Sequence, residues 1–97
     1  MTFDEFQQSV ETGDAPPASL TPELKSLWYT KAERWDEAHD IAQDIPTKMG
    51  SAIHGLLHAI EGDFGNSGYW FQRAGETPIE KSGIEDEWKR LVEVNLN

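Results

Sequence analysis

Apolar residues recur along this chain at helical spacing, and no stretch alternates apolar with polar as a half-buried strand would. Thr2-Phe3-Asp4-Glu5 reads as a capping box, with Thr2 as N-cap and Glu5 reaching back. Phe3, Phe6 and Val10 then predict a short helix that stops at Gly13. Pro16 and Pro17 make the following stretch a loop. Thr21-Pro22 opens a second helix with a stripe of Leu24, Leu27 and Trp28. Ala32-Glu33-Arg34 is the predicted turn. Trp35, Ala38, Ile41, Ala42 and Ile45 form the next stripe, closed by Pro46.

From Met49 to Ile60 apolar residues are so dense that the helix should be buried on more than one side. Gly62-Asp63 is a stop. Phe64 to Ala74 predicts another helix, with Phe64, Ser67, Gly68, Phe71 and Ala74 on one face. The small Ser67 and Gly68 should let a neighbouring helix approach closely. Two further capping boxes are available, Thr77 with Glu80 and Ser82 with Glu85. The expected last helix runs from about Ser82 to Asn95, with Ile84, Trp88, Leu91 and Val92 facing inward.

Two of these segments align at an offset of 29 residues, Arg34 to Ala38 on Asp63 to Ser67 and Ile41 to Ile45 on Trp70 to Ala74. A helical hairpin therefore occurs twice. The second copy resembles a tetratricopeptide repeat. Gly62-Asp63-Phe64 matches that family's turn, Ser67 its small residue, Phe71 its aromatic and Ala74 its alanine, with Pro78 near the closing proline. In the first copy Tyr29, Trp35, Ala38 and Ala42 take the corresponding places. The resemblance covers Pro22 to Pro78. The family's period is longer, about 34 residues, and the shortfall lies at Pro46-Thr47-Lys48. The run is also similar to small uncharacterised proteins of bacteria and fungi, which implies no activity. The resemblance implies hairpins at about 22–46 and 48–78. Two hairpins alone bury too little, so the Thr2 and Trp88 helices should cap them. The expected fold is all-α, a single domain over 1–97 with about six helices.

Composition narrows the function. The chain has 97 residues, with eight Lys and Arg against eighteen Asp and Glu for a net charge of −10. That length suits one domain with one modest core. The acidic balance disfavours nucleic acid and favours a basic protein partner. There is no Cys, hence no disulfide framework or zinc–thiolate site. No apolar run has the roughly 18–20 residues of a membrane span. The chain does not open on a basic and then apolar leader, so the expected location is cytoplasmic.

The one constellation with chemistry is His54-Gly55-Leu56-Leu57-His58 with Glu61. Its His54, His58 and Glu61 lie at i, i+4 and i+7 of one helix face. Two imidazoles and a carboxylate at that spacing suit a divalent cation, and His39 on the preceding helix is a further donor. Gly55 stands where the H-E-x-x-H metalloproteases need a general base. The apolar neighbours Ile53, Leu57 and Ala59 weigh the expectation toward structural imidazoles and no cofactor. No serine lies in a nucleophile elbow, and Gly62, Gly65 and Gly68 form no phosphate loop. Tyr69, Trp70 and Phe71 cover most of one helix circumference, so at least one ring should face outward. With Trp88, Tyr69 and Trp70 are the expected interface residues. The expectation is a non-enzymatic interaction module that binds a protein segment or a second copy of itself. The alternative is a small metal-binding or hydrolytic protein using His54, His58 and Glu61.

Overall fold

The computed structural model describes all 97 residues. Six α-helices follow one another: α1 (Phe3–Thr12), α2 (Pro22–Lys31), α3 (Trp35–Gln43), α4 (Lys48–Ile60), α5 (Phe64–Arg73) and α6 (Ile84–Leu96). A single 3-10 turn, Lys81–Gly83, precedes α6. There is no strand. Local signals account for most of these starts. Thr2 Oγ1 accepts from the Glu5 amide at 3.1 Å while Glu5 Oε1 accepts from the Thr2 amide at 2.8 Å, a complete capping box. Thr21, Thr47 and Asp63 each cap the helix that follows with a side-chain oxygen.

The repeat is real at the level of single hydrogen bonds. In the first turn the Arg34 amide donates to the Tyr29 carbonyl at 3.0 Å; 29 positions on, the Asp63 amide donates to His58 at 2.9 Å. Each turn passes through one left-handed residue, Glu33 at φ 62° and Gly62 at φ 85°. Each hairpin also closes on one hydroxyl. Ser26 of α2 donates to the Ala38 carbonyl at 2.8 Å, and Ser67 of α5 donates to the Gly55 carbonyl at 2.7 Å. These are equivalent positions, with the serine moved from the first helix to the second. A Cβ on Gly55 would stand 2.8 Å from the Phe71 ring, so only glycine lets α5 approach α4 this closely.

The helices form three layers. α3 and α5 lie on one side and α2 and α4 in the middle, with α1 and α6 together on the far side. α4 is the hub, buried almost continuously from Ala52 to Ala59. The two terminal helices meet through Phe3 and Phe6, whose ring centroids are 5.6 and 6.2 Å from Trp88. One core of Phe6, Leu27, Trp28, Ile53, Leu56, Leu57 and their neighbours joins the layers. The radius of gyration, 12.3 Å, is close to the ~12.5 Å of a single compact unit of this length.

Three local expectations are corrected. Neither the Thr77–Glu80 nor the Ser82–Glu85 capping box forms, because Ser82 is taken into the 3-10 turn and the N-cap of α6 is Gly83. Glu85, Asp86 and Glu87 in the first turn act on the helix dipole instead. Phe64 is exposed rather than inward. Its counterpart Trp35 is covered by the next helix, α4, but α6 folds back over α2 and α4 and leaves Phe64 uncovered. Trp88, expected both to face inward and to serve at an interface, is only 4% exposed, which leaves the inward role. Its indole N–H must find an acceptor once buried, and it donates to the Leu27 carbonyl at 2.9 Å, fixing α6 in the groove between α2 and α4.

Candidate functional site

The chemistry gathers on the opposite face, where α4 runs between α3 and α5. His54 and His58, one turn apart on α4, stack at a centroid distance of 4.8 Å. Both are nearly closed off, at 7% and 8% exposure. α3 delivers His39, and its Nε2 lies 2.9 Å from Nε2 of His54. The three residues can each offer a ring nitrogen such that all three atoms lie within 4.8 Å of one another. The pair His39–His54 needs one protonated and one bare Nε2, since two lone pairs or two protons would repel at that distance.

Aromatic walls hold the rings in place. Trp35 stacks on His39 at 4.7 Å and 13°, one turn earlier on α3. Trp70 stacks on His54 at 4.0 Å and 9°. That contact depends on the close α4–α5 approach that Gly55 allows. The Trp35 indole N–H is itself tied to the Leu57 carbonyl at 2.7 Å, which fixes the ring against α4.

Glu61 does not face the cluster centre. Its Oε1 lies 2.7 Å from Nδ1 of His58, a contact that favours a proton on Nδ1 and, in the neutral ring, makes Nε2 the acceptor. Asn66 Nδ2 lies 3.5 Å from Nε2 of the same ring. Burial, and then the neighbouring charges of His39 and His58, push His54 down to about 4. The ring is therefore neutral near pH 7.

Of the residues singled out in the sequence, His54 and His58 meet as the spacing implied. His39 joins them as a full member, and Glu61 touches the cluster only through His58. The aromatic walls Trp35 and Trp70 were not foreseen. The available signal was Trp35 four residues before His39, which places both on one face. Trp70 is turned inward onto His54 and is half-buried. Tyr69 is the outward ring, 53% exposed, with Arg73 donating to its hydroxyl at 3.3 Å.

A separate cleft opens at the other face. It is the end of the α2–α4 groove that α6 does not fill, lined by Thr30, Lys31, Glu33, Ile60, Ile84, Glu85 and Trp88. Lys31 reaches Glu85 across it at 3.3 Å. Comparison of the chain with protein families, with curated proteins and with solved structures gives no match in any of the three. No helix is long and apolar enough to cross a membrane.

Proposed function

We propose that this chain is a non-enzymatic helical-hairpin module, tetratricopeptide-like in its turns, that binds a protein segment of basic character. The observation that carries the reading is the open end of the α2–α4 groove. Ile60, 42% exposed, stands there beside the half-buried Ile84 and above the buried Trp88, an apolar spot that the chain's own helices leave partly uncovered. Lys31, Glu33 and Glu85 rim it, with Lys31 paired to Glu85 and Glu33 left as the acidic group, in a chain whose net charge is −10. α6 already occupies the rest of the groove, so the apolar side of a short amphipathic segment is the natural occupant of the open end. Charge around the cleft would steer and select a cationic segment rather than supply the bulk of the affinity.

The test uses two amphipathic peptides with the same apolar pattern, one carrying lysines and one glutamates, followed by fluorescence anisotropy. The lysine peptide should bind in a salt-sensitive way. Ile60→Glu should abolish that binding, and the pair Glu33→Lys with Glu85→Lys should weaken it. Equal behaviour of both peptides, or binding indifferent to Ile60→Glu, would remove the reading.

A further inference from the structure

We propose that His39, His54 and His58 form a binding site for one late first-row divalent cation, zinc or a similar ion, with Glu61 as the outer carboxylate that orients His58. The proposal is independent of the protein-binding reading, because the cleft and the imidazoles lie on different faces.

The first support is convergence from two hairpins. His39 comes from α3 and the other two rings from α4, so no helical periodicity forces the three nitrogens together. In tetrahedral zinc coordination, with bonds of about 2.0–2.1 Å, neighbouring nitrogens stand roughly 3.3 Å apart. The 2.9 Å between Nε2 of His39 and Nε2 of His54 needs to open by a few tenths of an ångström, and the His58 nitrogen, within 4.8 Å of the other two, needs to draw in by up to about 1.5 Å. To accept an ion, the ring that carries its proton on Nε2 would move it to Nδ1, so that both neutral imidazoles present a bare Nε2.

The second support is the surroundings of His58. A metal-binding histidine commonly gives its other ring N–H to a carboxylate, which fixes the tautomer and strengthens the donor. Glu61 does this at 2.7 Å. Here Nε2 of His58 has only the 3.5 Å contact to Asn66.

The third support is rigidity. Trp35 and Trp70 stack on His39 and His54, so the donors are held in place before an ion arrives. Imidazole donors select zinc, copper or nickel over magnesium and calcium, which prefer oxygen. Three protein nitrogens leave a fourth position for an exchangeable donor. His58, Glu61 and Asp63 also lie within reach of one another. Glu61 is engaged with His58 and Asp63 caps the Asn66 amide, so the imidazole set is the better one.

The experiment uses tag-free protein titrated with zinc chloride by calorimetry and with cobalt(II) by visible absorption. One ion should bind per chain, with the intense visible bands of a four-coordinate cobalt–nitrogen site. His39→Gln, His54→Gln and His58→Gln should each weaken zinc binding more than about 100-fold, and Glu61→Gln about 10–100-fold. If a variant fails to fold by circular dichroism, histidine nitrogen resonances of the wild type decide. Zinc should then shift Nε2 of all three rings together. Absence of binding to the wild type, full affinity in a folded His39→Gln variant, or a zinc shift confined to His58 would each overturn the proposal.

Discussion

Replacing Ser67 by Leu attacks the contact that holds the second hairpin together. Ser67 is 1% exposed and its hydroxyl donates to the Gly55 carbonyl at 2.7 Å, at the point where α4 and α5 come closest. Losing that hydrogen bond costs about 1 kcal/mol. Forcing three extra carbon atoms into the closed contact costs about 1–3 kcal/mol more. The sum, roughly 2–4 kcal/mol, is a large part of the ~5–15 kcal/mol that holds a small domain folded. At ~4–8 °C per kcal/mol for a domain of this size, the melting temperature should fall by about 10–30 °C. Ser67→Ala, which removes only the hydrogen bond, should cost about 1 kcal/mol. Ser26→Leu should match Ser67→Leu, because Ser26 holds the equivalent contact in the first hairpin. Thermal and urea melts followed by far-UV circular dichroism measure all three. A Ser67→Leu protein melting within about two degrees of the wild type would show that the helices do not meet at this residue.

The folded protein should lose stability as pH falls from about 6.5 toward 4. His54 is held down to about 4 in the fold while the unfolded chain takes its proton near 6.5, so acid favours the unfolded state; the slope from this one group is at most ~1.4 kcal/mol per pH unit, and His54→Gln should flatten it in chemical denaturation across that range. Glu33→Gly should stabilise by about 0.5–1 kcal/mol in urea melts, since glycine relieves the left-handed backbone at φ 62° that Gly62 already adopts without strain. Thr2→Ala should cost about 1 kcal/mol by the same measurement, because it removes the capping box of α1. Hydrogen bonds from Thr2 hold the Glu5 carboxyl below its usual value, so its contribution should persist through mild acid and vanish only below that range.

The helices were legible in the sequence wherever their ends are made by neighbouring residues. Thr2 with Glu5, Thr21 with Pro22 and the stop after Ile60 act over a few positions, and each does what its spacing implies. The repeat was legible because the turn and the small residues Ala38 and Ser67 recur in register. The inward face of α6 was legible too, but not the groove it fills, because nothing local says whether a last amphipathic helix extends an array or folds back between α2 and α4. That one choice buries Trp88 and exposes Phe64. The imidazole cluster divides in the same way. His54 and His58 are neighbours by helical spacing, whereas the approach of His39 depends on how α3 docks on α4. Gly55 was read only as a missing catalytic base, and its actual part is steric, since its lack of a side chain brings Trp70 onto His54.

Two hairpins bring the half-buried His39 and the buried His54 and His58 into one cluster. Two-bond proton–nitrogen NMR of the histidine rings, followed from about pH 8 to pH 4, tests it most directly, because each ring reports its own tautomer and charge. His54 should stay neutral until the pH reaches about 4. His58 should show one tautomer, with the proton on Nδ1 facing Glu61. Three rings that titrate independently near the ordinary value of about 6.5, each as a free mixture of tautomers, would contradict the packing of α3 on α4 and the cluster with it.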